Sequence, residues 1–142
     1  MVDTLTPAQR SERMSRIRSN NTKPEVALRK ALHRLGFRFR LQGRRLVGKP
    51  DIVLPKHRTV IFVHGCFWHR HAGCKIATMP KSNTEFWAAK FRRNVARDAS
   101  VIEQLQSAGW YVFVAWECDL GSPAKVAATA DGIASAIRAR AS

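Results

Sequence analysis

Residues 50–74 read PDIVLPKHRTVIFVHGCFWHRHAGC, and this stretch decides how the rest of the chain is arranged. Asp51 opens a short apolar run to Leu54, which Pro55 and the polar Lys56-His57-Arg58 bring to an end. Thr59–His64 follows as a second apolar run, rich in β-branched residues. Two such runs around a proline turn predict neighbouring strands, the second buried on both faces. From Gly65 to about Lys81 periodicity disappears while Cys and His concentrate. The second strand therefore delivers the chain into a ligand-rich loop.

Working outward, Phe37, Phe39 and Leu41 alternate with Arg38, Arg40 and Gln42, the pattern of a half-buried strand, and Gly43–Pro50 is a basic turn. Upstream, Thr22 and Glu25 form a capping box that opens a helix with Leu28, Ala31, Leu32 and Leu35 on one face, stopped at Gly36. Thr6-Pro7 caps a short helix through about Ile17, and Ser19-Asn20-Asn21 breaks it. Downstream, Ser82 and Glu85 make another capping box for a long helix to about Ser107, with Trp87, Val95, Ile102 and Leu105 on its apolar stripe. Ala108-Gly109 stops it, Trp110–Trp116 is the most apolar strand, and Ser122-Pro123 starts a last helix carrying Val126, Ile133 and Ile137. The order is helix, three strands, helix, strand, helix, an α/β class. The first three strands can form a meander, and the fourth joins through a crossover.

At 142 residues and 45% apolar content, the chain is one domain with a real core. Lys and Arg number 25 against 10 Asp and Glu, a formal charge of +15. That field favours a polyanion: DNA, RNA or an anionic membrane. The charge is spread along the chain among apolar residues, which speaks against a basic tail. Four Trp and seven Phe add stacking surfaces for bases. No run approaches the roughly 20 apolar residues of a membrane span, and Met1–Arg10 is polar, unlike a signal peptide. Three cysteines, an odd count, suit a reducing compartment and metal or catalytic use. The expectation is a cytoplasmic, nucleic-acid-facing domain.

Three constellations carry chemistry. Cys66, His71 and Cys74, spaced C-x4-H-x2-C, together with Cys118 after the strongest strand, are the thiolate–imidazole mixture of a closed structural zinc site. The bland alternative is three reduced cysteines, Cys118 serving as a small core residue. Pro50-Asp51 begins a strand that is followed by an apolar run about ten residues on, taken as parallel to it. In PD-(D/E)XK nucleases an Asp so placed holds Mg²⁺, and the next strand supplies an acidic residue and a lysine. Here Phe62 and His64 stand at those two places, so Pro-Asp alone also reads as a strand-opening turn. Finally, His64, His69 and His71 crowd one loop, and Asp98 falls on or beside the apolar stripe of the long helix. A charge there needs a partner. His69 oriented by Asp98 would be a general base for water attacking phosphorus. The alternatives are a satisfied strand-end His64 and an Asp98 paired with Arg97 or Arg92 in solvent.

The stretches MSRIRSNNTKPE, GKPDIV, VIFVHGCFWHRHAGC, TEFWAAKFRRNVARD and GWYVFVAWEC, in order over about residues 6–120, closely resemble the very-short-patch-repair (Vsr) DNA mismatch endonucleases. The resemblance implies a restriction-endonuclease-like three-layer αβββαβ core with a mixed central sheet and a structural zinc loop. It divides the chain into an N-terminal DNA-contacting segment, 1–20, and a catalytic domain, 21–142. The implied activity is a nick 5′ of the T in a T·G mismatch, the product of 5-methylcytosine deamination. Asp51 and the backbone carbonyl of Val63 would ligate Mg²⁺. His69 would be the base, oriented by Asp98, with His64 near the scissile phosphate and Glu25 acting through the metal's water shell. Cys66, His71, Cys74 and Cys118 would hold Zn²⁺. Phe67, Trp68 and Trp87 would intercalate beside the mismatch, and Met14 would reach the opposite groove.

In this reading Phe67-Trp68 is a large exposed pair with no core to fill, and a mismatch, which unstacks cheaply, is what such wedges select. The alternative is a small satellite core beneath them. The segment His69–Cys74 is one residue longer than the family pattern, and Gly73 absorbs the insertion. The expected protein is a monomer on double-stranded DNA, bacterial, cytoplasmic and nucleoid-associated when acting. Mismatch-repair proteins and a DNA polymerase are candidate downstream partners. Two other readings fit the same residues: a non-catalytic zinc-stabilised module for distorted duplex, and a nuclease of this fold for another lesion.

Overall fold

The computed structural model describes residues 22–41, 46–75 and 77–141; the expected helix before Ile17 and the whole N-terminal segment lie outside them. Helix α1 (Lys23–Arg34) begins as the capping signal predicts, with Thr22 Oγ1 accepting the Glu25 N–H at 3.4 Å. Its end is a Schellman turn: Phe37 N–H donates to Leu32 O and Gly36 N–H to His33 O, with Gly36 at φ +96°. This shortens the strand expected from Phe37. The Phe37 amide is already used by the helix end, its ring is buried beside Leu32, and β1 is only Arg40–Leu41.

Strand β2 (Ile52–Leu54) pairs with β1 and with β3 (Thr59–His64), antiparallel in both cases. The run after Asp51 is therefore not parallel to its strand. A 3₁₀ turn at Pro55–His57 and a left-handed Arg58 reverse the chain in four residues, too few for a crossover. After β3 come the four-residue helix α2 (Cys66–His69), the long α3 (Thr84–Ser107) and β4 (Tyr111–Trp116), parallel to β3 in the order β1-β2-β3-β4. Helix α4 (Pro123–Ala141) closes the chain. Two local expectations fail. α2 lies where no periodicity shows, and α3 starts from a left-handed Asn83 with no side-chain cap, so Ser82 and Glu85 do not form its capping box.

Alternation in the strands builds two cores. Ile52, Leu54, Ile61 and Ala115 face α1 and α4, meeting Leu28, Leu32, Ile133 and Ile137. Val53, Val60 and Phe62 face α3, meeting Leu105. The sheet is thus covered on both faces, and β3, almost wholly buried, is its central strand. Val95 is 45% exposed and does not share the buried stripe of α3. Leu32→Ala should therefore cost about 2–5 kcal/mol in urea unfolding. Val95→Ala should stay within about 0.5 kcal/mol.

Candidate active site

Three chain segments bring their chemistry to one end of the sheet: the start of β2, the end of β3 and the end of β4. The cleft there, about 810 Å³, is lined by Glu25, Asp51, Val63, His64, His69 and Asp98, among others. Asp51 Oδ2 accepts the Val63 N–H at 2.7 Å. Continuing the β2–β3 register one pair past Asp51 sets Pro50 opposite Val63. In an extended strand a residue's N–H and C=O face the same edge, so the Val63 carbonyl faces that proline, which has no N–H to donate. A carboxylate and a carbonyl oxygen on one strand edge are a hard donor set that suits Mg²⁺.

His69 Nδ1 and Asp98 Oδ2 stand 2.5 Å apart, joining α2 to α3 across 29 residues. Asp98 thus turns to His69 inside the cleft, while the Arg97 charge also favours its carboxylate. Donation from Nδ1 to the carboxylate makes Nε2 the basic nitrogen. His64, 6% exposed, stacks on His69 with ring centroids 3.8 Å apart and planes within 6°. Burial raises the Asp98 carboxyl, but the His69 hydrogen bond and the charges of His69, His64 and Arg97 outweigh it, and its pKa lies below the ordinary value. Glu25 is 2% exposed and 4.0 Å from Arg29, one turn along α1.

Behind this cleft, Cys66, His71, Cys74 and Cys118 place their ligand atoms within 4.8 Å of one another, a Cys/His group that could hold a metal ion. His71 Nδ1 is 3.6 Å from Cys66 Sγ and 3.3 Å from Cys118 Sγ. A tetrahedron with Zn–S of about 2.3 Å and Zn–N of about 2.0 Å has S···N edges of roughly 3.5 Å. Cys118 therefore faces the other thiols and is not a core residue. Burial pushes the Cys66 thiol up to about 12 and raises Cys118 as well, so both keep their protons unless a cation replaces them. In this loop Gly73 adopts φ +73°, with open space where a Cβ would lie.

The aromatic residues are placed differently from expectation. Trp68 and Trp87 are 4% and 3% exposed and form a satellite core with Phe91, against which Phe67 and Phe86 pack. Phe67 stands edge-on to Trp68 and Phe91 at 5.1 and 5.2 Å. Arg70 covers Phe91 at 4.0 Å and holds the following loop through the carbonyls of Phe67, Ala77 and Thr78. The pair Phe67-Trp68 does have a core to fill: α3 supplies it one and two turns from its start. Met14 lies outside the described residues.

Two contributors were missed from the sequence. Glu117 Oε1 accepts the Cys66 N–H at 3.1 Å and so caps α2, whose own N-cap, Gly65, has no side chain to do it. Asn94 Nδ2 donates to the Trp68 carbonyl at 3.2 Å, one turn before Asp98. The spacing of Asn94 and Asp98, four apart on one helix, was the available signal. For Glu117 there was none, since its partner is 51 residues away.

The lowered pKa of Asp98 has a thermodynamic consequence. Its folded value is below the unfolded value of about 3.9, so the carboxylate contributes stability above that pH and loses it as pH falls through the folded value. Asp98→Asn should be less stable than the parent at pH 7. The gap should close as pH falls below about 3.9, read from urea midpoints between neutral and strongly acid solution.

The sequence profile of the DNA mismatch endonuclease Vsr matches residues 2–75. A type II nicking enzyme, V.XorIIP of Xanthomonas oryzae pv. oryzae, is 49% identical over 120 residues, 84% of this chain and 88% of the relative. V.NmeAIP of Neisseria meningitidis serogroup A, also a type II nicking enzyme, is 48% identical over 87% of this chain and 88% of its own. The DNA mismatch endonuclease Vsr of Escherichia coli K12 is 43% identical over 84% of this chain and 76% of its own. A dyad on a cleft, a carboxylate at a strand edge and a Cys₃His cluster thus occur in a chain with DNA-cleaving relatives, and the chain belongs to the Vsr family of DNA mismatch endonucleases.

Proposed function

We propose that the chain nicks double-stranded DNA 5′ of the T in a T·G mismatch by Mg²⁺-dependent hydrolysis, on a restriction-endonuclease-like core. The observation that carries this reading is the His69–Asp98 pair set across the same cleft as Asp51. Asp51 and the Val63 carbonyl would hold the magnesium, which supplies charge neutralisation at the phosphate when bound. His69 takes the proton of the attacking water at Nε2, and Asp98 holds the ring and stabilises the charge it gains. His64, stacked on His69, faces the scissile phosphate, and Glu25 acts on the water shell from α1.

Phe67, Trp68 and Trp87 are the proposed wedge, with the Met14 segment, 1–20, on the opposite groove. Their burial in the free protein adds a condition. The satellite core must open as the base pair unstacks, so aromatic contacts are exchanged for base stacking, and a weakly stacked mismatch makes the exchange cheaper. Cys66, His71, Cys74 and Cys118 hold a structural zinc that fixes α2, and with it His69. No helix among the described residues is long and apolar enough to cross a membrane. A monomer in the bacterial cytoplasm, followed by mismatch-repair proteins and a polymerase, completes the proposal.

With Mg²⁺, the full chain should nick only the T strand of a T·G duplex and leave the matched duplex whole, and Asp51→Ala should abolish the nick. Binding of the mismatch with no cleavage in several sequence contexts would refute the enzyme, and equal cutting of matched DNA would refute the mismatch. Elemental analysis should find about one zinc per chain, as four protein ligands close one site. Cys118→Ser should lose most of that zinc together with thermal stability.

A further inference from the structure

Four described residues other than glycine have a positive φ: Lys49, Arg58, Arg70 and Asn83. Three of them have a local reason. Arg58 and Arg70 end the 3₁₀ turn and α2, and Asn83 begins α3. Lys49, at φ +48°, borders no helix. A left-handed residue with a side chain costs roughly 1–2 kcal/mol, and such strain gathers at functional sites. Its neighbour is equally constrained. Gly48 lies at φ +74°, and a Cβ there would meet Val101 Cγ1 of α3 at 2.3 Å. The Lys49 N–H closes the turn onto Leu46 O at 3.1 Å. Two successive left-handed residues, pressed on α3, set where the chain enters Pro50 and Asp51.

The residue this turn places at the cleft is an exposed lysine. Lys49 lines it beside Asp51, His64, His69 and Asp98. Two other cations line the same cleft, and both are engaged: Arg97 with Asn94 and the Asp98 charge, and Lys90 over the Trp68 ring at 5.8 Å. Among the described residues the Lys49 ammonium has no hydrogen bond or ion pair. β3 supplies no lysine to the cleft, because Phe62 and His64 occupy its end. Hydrolysis of a phosphodiester adds negative charge at the phosphoryl oxygens in the transition state, and a preorganised cation aimed at that charge is worth most there.

We propose that Lys49 is a catalytic residue, contacting the scissile phosphate and stabilising the charge that develops on it. This inference rests on the nuclease reading above. The test compares Lys49→Met, Lys49→Asn and, as a control for the lost charge, Lys56→Met at the far, exposed end of β2. Each full-length variant is assayed for single-turnover nicking of a T·G duplex with Mg²⁺ and for affinity by salt titration. Lys49→Met should slow the chemical step on the order of 10²-fold. Its affinity should fall by no more than one phosphate contact, a change of about 0.9 in the salt slope. Lys49→Asn should be as slow yet no less thermally stable than the parent, because Asn takes the left-handed conformation more readily. Lys56→Met should cleave at the parental rate.

If the parent nicks and Lys49→Met nicks equally fast, or loses affinity alone, the inference is overturned while the nuclease stands. If the parent cuts no mismatched duplex, the proposed function falls, and this inference with it.

Discussion

Between β3 and the Cys/His loop, the chain makes one helical turn, Cys66–His69, on which the Cys/His group, the satellite core and the His69–Asp98 pair all meet. Its first residue is a thiol of the candidate metal group, its middle two are rings of the satellite core, and its last is the proposed base. A four-residue helix has no stability of its own. It stands because Glu117 caps its first amide, Asn94 holds the Trp68 carbonyl, Arg70 caps its end and Asp98 takes its last side chain. The sheet and α3 are the frame from which these four tethers hang.

The same arrangement explains why burial and function coincide. Trp68 and Trp87 are not idle wedges waiting in solvent. In the free protein they carry part of the packing between α2 and α3, edge-on to Phe67 and tilted against each other at 5–6 Å, geometries that favour aromatic pairs. Any ligand that draws them out also loosens the segment bearing His69. On the proposed reading, recognition and chemistry would be coupled through the adjacent residues Trp68 and His69 rather than across a distance.

Much of this was legible in the residues. Strand order, the crossover to β4 and the two glycine stops follow from periodicity and turn chemistry, which are local. The Cys₃His group and the His69–Asp98 pair were legible because charge and thiol need partners, and few candidates exist in a chain this short. What failed was also local in origin. Phe37 alternates like a strand residue but is consumed by a Schellman turn, and Ser82 looks like a cap while Asn83 takes its place in a left-handed conformation. The burial of Phe67 and Trp68 could not be read from their own loop, because the surface that covers them belongs to residues 86–91. Glu117 and Lys49 act through tertiary position and backbone geometry, neither of which leaves a pattern in composition.

The parallel pairing of β3 with β4 joins Thr59 to Tyr111, and the contacts that complete the cleft span 29, 47 and 51 residues. Contacts so distant in sequence close late, after the entropy of the intervening loop has been overcome. As the ribosome releases the chain, Asp51 and the histidines emerge long before the strand that orders them. A growing polypeptide therefore holds the ingredients of the cleft without the cleft until β4 and Cys118 have docked. In a chain of formal charge +15, attraction to a polyanion therefore precedes the geometry that would act on one.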